Sequence, residues 1–166
     1  MANSKKDKRV PLIRRTIDDY LVAWKNNPDI YKIYFRDTGL LIGSLDDEAQ
    51  ADLRNNKNFN AYKGAIYENM VGDMLAKQGY SLYFYKNEKN TVEMGFFVRD
   101  VDSLIPIEVK AIDGSTPSLN KLVDREKYAD IKFGIKFCYK NIGFNGKFYT
   151  YPYFTAFLLK RLLSEK

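Results

Sequence analysis

The sequence predicts an α/β fold, a mixed sheet flanked by helices, on three observations. Helical and strand-like periodicities alternate along a single chain of 166 residues, with no linker or composition shift to mark a second folded unit. Three strand patterns near 80–86, 91–99 and 104–111 follow one another through the short polar links "KNEKN" and "DVDS", which makes them an antiparallel meander. A helical pattern near 117–128 then precedes another strand, and a crossover helix is what brings a strand back parallel to its neighbour.

Each element has its own signal. Ile13, Ile17, Tyr20, Leu21 and Trp24 recur at helical spacing, so 12–26 reads as an amphipathic helix stopped before Pro28. "IYKIYF" reads as a short strand and "RDTGLL" as a polar turn leading into apolar packing. "DDEAQADLRNN" has acidic residues where a helix N-terminus favours them. A long helix over 59–78 is closed by Gly79, a residue that tolerates the left-handed conformation of a helix end. After the meander, "STPSLNKLVDREKY" supplies an N-cap, a proline and a helix. "IKFGIKFCYK" is a strand, Asn145-Gly146 a tight turn, 147–151 the strand of a hairpin return, and "PYFTAFLLKRLL" the closing helix.

Composition removes whole classes of chemistry. Hydrophobic residues make up 45% of the chain and charged residues 29%, a globular balance. No apolar run approaches a membrane span and the N-terminus is not signal-like, so a cytoplasmic protein is expected. With no His at all and one cysteine, Cys138, there is no Ser–His or Cys–His nucleophile, no disulfide framework and no thiolate–imidazole zinc site. A catalytic metal would have to take carboxylate and carbonyl oxygens, which favours Mg²⁺, Mn²⁺ or Ca²⁺. No phosphate-loop motif is present, so no ATP site is expected in this chain. The formal charge of +6 is drawn partly from "MANSKKDKRVPLIRR". It is compatible with a polyanionic partner, DNA included, but a solvated tail is the favoured reading because no aromatics interleave the charges.

Some carboxylates do not fit their surroundings. In the strand "IPIEVKA", Ile105, Ile107, Val109 and Ala111 alternate as an inward face should, leaving Glu108 and Lys110 together on the other. In the long helix, Gly64, Tyr67, Val71 and Leu75 share a face with Ala61, Ala65 and Gly72, and Glu68 falls in its middle. Lys63, Asn69, Asp73 and Lys77 make the wet face opposite. A carboxylate placed like Glu68 has to be paired, hydrogen-bonded or metal-bound, and the glycines beside it would let another backbone come close. In "TVEMGFFV", Val92, Met94, Phe96 and Val98 form one face and Glu93, Gly95 and Phe97 the other. Glu93 or Gly95 would then neighbour Glu108 and Lys110, and the helix bearing Glu68 could cover them. Metal-assisted phosphodiester cleavage wants such a group. Carboxylates hold a hard ion that polarises the phosphate, and a lysine orients or deprotonates the attacking water.

Glu68 on a helix followed by Glu108-Val109-Lys110 on a later strand resembles the PD-(D/E)XK nuclease superfamily. The segments "KIYFRDTGLL", "KGAIYENMVGDMLAKQGYSLYFY", "VEMGFFV", "IPIEVKA" and "YPYFTAFLL" resemble one branch of it, the C-terminal domain of prokaryotic AAA-type ATP-binding proteins. The resemblance covers roughly 30–160 and implies a restriction-endonuclease-like fold over 30–166, preceded by a basic tail and helix over 1–29. It also implies a P-loop ATPase module as the usual partner, which makes this chain an excised domain or a stand-alone relative.

The branch pattern Glu-Val-Asp-Phe reads Glu93-Met94-Gly95-Phe96 here, so glycine stands where the central metal-ligand Asp is implied. Glu93 points the same way one strand repeat off, about 6–7 Å along the strand. The resemblance implies Glu68, Glu108 and Lys110 as the catalytic set, vestigial or active, with Glu68, Glu108 and Glu93 as remaining metal ligands. Three readings follow. The favoured one is a nuclease-fold binding or assembly module that has lost cleavage, with weak or no Mg²⁺ or Mn²⁺ binding. The others are an active divalent-metal endonuclease using Glu93 as substitute ligand, and a protein-interaction domain without nucleic-acid contact. Under the favoured reading Glu68 and Lys110 form a relic ion pair, with Glu108 as the same lysine's second partner, and all three converge on one side of the sheet.

Overall fold

A computed structural model describes residues 13–15, 32–57, 59–86, 92–101, 103–124 and 128–165. The chain runs β1 (Ile13–Arg15), α1 (Thr38–Gly43), α2 (Asp47–Arg54), α3 (Phe59–Lys77), β2 (Tyr83–Lys86), β3 (Glu93–Arg99), β4 (Leu104–Val109), α4 (Pro117–Val123), β5 (Gly134–Cys138), β6 (Gly143–Phe144) and β7 (Phe148–Pro152). A 3-10 turn (Tyr153–Leu158) then leads into α5 (Leu159–Ser164). Among the described residues the strands form one mixed seven-stranded sheet in the order β1-β2-β3-β4-β5-β7-β6.

The meander is antiparallel throughout, β2 to β3 to β4, and β5 joins β4 parallel after α4, as the spacing predicts. Several local expectations need correcting. Of the helix expected over 12–26, the described residues 13–15 are a strand paired with Tyr83–Tyr85, where they satisfy an edge that β2 would otherwise leave open; the rest lies outside the described residues. "RDTGLL" carries a helix rather than a turn, because Asp37 accepts from the backbone N–H of Leu40 and caps it. In "IYKIYF" the described residues 32–35 form neither strand nor helix. The hairpin return exists between β6 and β7, yet β7 lies parallel to β5.

Two apolar layers fix which face of the sheet each residue occupies. On one face Phe96, Val98, Ile105, Ile107, Ile135 and Phe137 pack with Val71 and Leu75 of α3 and with Ala156 and Leu159 of the C-terminal helices. On the other, Met94, Phe97 and Phe148 pack with Leu119 and Leu122 of α4. Each fully buried large side chain in these layers stabilises by about 1.5–3 kcal/mol.

One irregularity decides the geometry below. Tyr83 pairs with Phe97 while Tyr85 pairs with Met94, so three steps of β3 answer two of β2. This is a β-bulge. It turns Gly95 and Phe96 toward α3 together: a Cβ on Gly95 would lie 3.3 Å from Glu68 Oε1, and one on Gly72 of α3 would lie 3.0 Å from the Phe96 ring. The simple alternation expected for β3 therefore fails after Gly95: Phe96 joins Gly95 on the α3 side and Phe97 moves to the α4 side.

Candidate functional site

Glu68 projects from α3 onto the sheet over Gly95, where the missing side chain leaves room for its carboxylate. Its Oε1 accepts hydrogen bonds from Lys32 Nζ at 2.8 Å and from the Tyr34 hydroxyl at 2.6 Å. Lys32 and Tyr34 lie two apart in a segment without regular secondary structure, and both side chains reach this one oxygen. The Lys32 ammonium also reaches Glu93 Oε1 at 3.3 Å. Glu93 in turn faces Lys86, its cross-strand neighbour, at 3.7 Å. Burial works against the charged Lys32, but the charges and hydrogen bonds of Glu68 and Glu93 outweigh it and raise its pKa above the ordinary lysine value. The Tyr34 phenol is raised too, first by burial and then by the Glu68 charge, which keeps it a neutral donor.

Asn69 extends this contact. Expected on a wet face, it is buried because residues 35–38 cover it. Its Oδ1 accepts from Phe35 N–H at 2.7 Å, and its Nδ2 donates to Phe35 O and to Thr38 Oγ1 at 3.2 Å each. Gly64, expected on the apolar face, is exposed with nothing within 4 Å of a Cβ built on it.

Glu108 and Lys110 lie elsewhere. Ile105 and Ile107 face α3, so alternation turns Glu108 and Lys110 to the α4 face. Glu108 Oε1 forms an ion pair with Lys110 Nζ at 2.7 Å. Its Oε2 is buried without a hydrogen-bond partner among the described residues, a costly arrangement for a carboxylate oxygen. Beside them, Lys136 of β5 is the register partner of Glu108, yet its buried ammonium bonds Asp113 Oδ1 at 2.5 Å and Gly114 O at 3.0 Å. Lys140 approaches the other Asp113 oxygen at 3.4 Å. The Lys136 hydrogen bond, with Lys140 behind it, holds the Asp113 carboxyl below its usual range.

The structure thus joins Glu68 to Glu93 through Lys32, and Glu108 to Lys110, but it does not bring the two pairs together. The expected convergence of Glu68, Glu108 and Lys110 fails because the E-x-K face of β4 looks away from α3. The lysine that pairs with Glu68 is Lys32, not Lys110. Among the described residues no three acidic or other metal-ligating side chains gather as a metal-holding group; Glu68 and Glu93 meet at Lys32, and Glu108 lies on the other face of the sheet.

Sequence reasoning missed Lys32, Tyr34, Lys136 and Asp113. Lys136 carried a signal, a lone cation inside the apolar run "GIKFC", the same anomaly that marks Glu108. Lys32 and Tyr34 carried a weaker one, the polar side of a short extended segment.

Comparison with known proteins adds one finding. A family described as a domain of unknown function, DUF4143, matches residues 63–154, a domain found in AAA-ATPase-associated proteins. No curated protein matches the chain.

Proposed function

The chain belongs to the DUF4143 family, and we propose that it is a restriction-endonuclease-like binding or assembly module that does not cleave nucleic acid. The order α3-β2-β3-β4-α4-β5, with its meander and parallel crossover, supports the nuclease-like fold. One observation carries the loss of cleavage. The two carboxylate–lysine pairs sit on opposite faces of the sheet, and the carboxylates that could hold an ion, Glu68 and Glu93, already hold the Lys32 ammonium. A hard dication needs several anionic oxygens at short, fixed distances, and Gly95 contributes none. No helix among the described residues is long and apolar enough to cross a bilayer.

The assembly side of this reading has its own support. Tyr139, Ile142, Phe144, Phe154 and Phe157 are all more than half exposed and come from segments in or beside β5–β7, the end of the sheet away from β1. Exposed aromatic and aliphatic side chains in such number favour protein contact over a purely electrostatic nucleic-acid surface. An ATPase module is the partner class this reading favours, with DNA contact the second.

The test is nicking of a supercoiled plasmid with Mg²⁺ or Mn²⁺, with Lys110→Ala as control. The native chain should leave the plasmid intact. Robust nicking that the control abolishes overturns the proposal in favour of an active endonuclease. Gly95→Asp, which adds a carboxylate on the Glu68 side, should raise Mn²⁺ affinity in a calorimetric titration without restoring cleavage.

A further inference from the structure

We infer that Lys32 is a built-in cation: its ammonium takes the place between Glu68 and Glu93 that a divalent ion would otherwise fill, and so clamps the 32–38 segment across α3 and β3. Three observations carry this. The ammonium contacts carboxylates from two different elements, at 2.8 Å on the helix and 3.3 Å on the strand. The absence of a side chain at Gly95 lets the Glu68 carboxylate lie close over β3, the strand that carries Glu93. The segment that brings Lys32 is fixed a second time, by the three hydrogen bonds of the neighbouring Asn69.

The role follows from electrostatics. Two carboxylates held near each other in a half-buried place repel unless a cation lies between them. A metal ion serves only at sufficient concentration, whereas a side chain of the same chain is always present. Lys32 therefore makes this contact independent of metal and excludes metal while it is seated. It is a positioning residue, and this role holds whether or not the domain cleaves nucleic acid.

The experiment uses the full chain as wild type, Lys32→Met, Lys32→Arg and the double variant Lys32→Met with Glu68→Gln. Thermal midpoint and Mn²⁺ binding are measured for each, without metal and in millimolar Mn²⁺. The wild-type midpoint should not respond to Mn²⁺. Lys32→Met should melt lower without metal, recover in Mn²⁺, and bind the ion about tenfold or more tightly than wild type, since a unit positive charge a few Å from the ion is removed. Lys32→Arg should restore the midpoint without metal, and Glu68→Gln in the Lys32→Met background should abolish the Mn²⁺ response. If Lys32→Met does not fold without metal, refolding in Mn²⁺ is the measurement, and failure to recover overturns the inference. A wild-type response as large as the variant's, or a Lys32→Met chain indifferent to Mn²⁺, overturns it as well.

Discussion

Tyr34 and Lys32 donate to one oxygen of Glu68; loss of a proton removes the Tyr34 donor and the Lys32 charge. Their pKa values lie above the ordinary values of 10.0 and 10.5. A group whose folded pKa is raised contributes stability that is complete below its unfolded pKa and is lost as pH climbs toward the folded value. The clamp should therefore hold at neutral pH and weaken above about pH 10. Urea unfolding at about pH 7.5 and about pH 11, on either side of those ordinary values, gives the check. Tyr34→Phe should be destabilised at the lower pH, as expected when a buried hydrogen-bond donor is removed, and should lose less stability than wild type on going to the higher one. An equal loss in both proteins would mean that the Tyr34 hydroxyl has no part in the alkaline transition. How far such roles were legible varied by residue. Glu68 and Glu108 stood out because a carboxylate in an apolar pattern must find a partner. The identity of that partner depended on a segment distant in sequence, and no periodicity encodes it.

At the scale of elements, α3 and the meander were readable because their apolar repeats are long and their links short. The β3 bulge was not. A single extra residue leaves no trace in an alternating pattern, yet it exchanges the faces of Phe96 and Phe97, while Gly95 stays on the α3 side that alternation gives it. The face assigned to Glu108 failed for a related reason: alternation said which residues share a side of β4, but not which helix lies over that side. Close packing of elements supplies a separate prediction. Gly134 opens β5 beneath α4, and a Cβ there would come within 2.5 Å of Leu119 Cδ1 and 3.2 Å of its Cγ. Leu119 is fully buried, so its side chain has little space into which to turn. Gly134→Ala should then destabilise by about 1–3 kcal/mol through overpacking, more than the 0.4–1 kcal/mol that a Gly-to-Ala change returns by restricting the unfolded chain. Denaturant unfolding measures the net sign. Stabilisation would mean that α4 shifts on the sheet without cost.

For the whole molecule, the sheet is a partition. Glu68, Glu93, Lys32 and Tyr34 lie on its α3 face, whereas Glu108, Lys110 and Lys136 lie on its α4 face, and the ion pairs of Lys32 with Glu68 and Glu93 are separate from those of Lys110 with Glu108 and of Lys136 with Asp113. A nuclease-like centre would couple these groups through a common ion or phosphate, so their independence is a property that can be measured. Residues that share no partner and are well separated give stability changes that add to within about 0.3–0.5 kcal/mol, whereas members of one charged network deviate by about 0.5–3 kcal/mol. The cycle is Glu68→Gln, Glu108→Gln and the double variant, each unfolded in urea at neutral pH. Glu68→Gln should destabilise, because it weakens the partner of both Lys32 and Tyr34. Glu108→Gln should cost less than its burial alone suggests, because the new amide can donate and so relieve the orphaned Oε2 position if an acceptor lies in reach, while the lost charge weakens the contact with Lys110. Their sum should match the double variant within the additive range. A coupling above about 1 kcal/mol would mean that the two groups communicate through the sheet, and the separation of the carboxylates on which the non-cleaving reading depends would no longer hold.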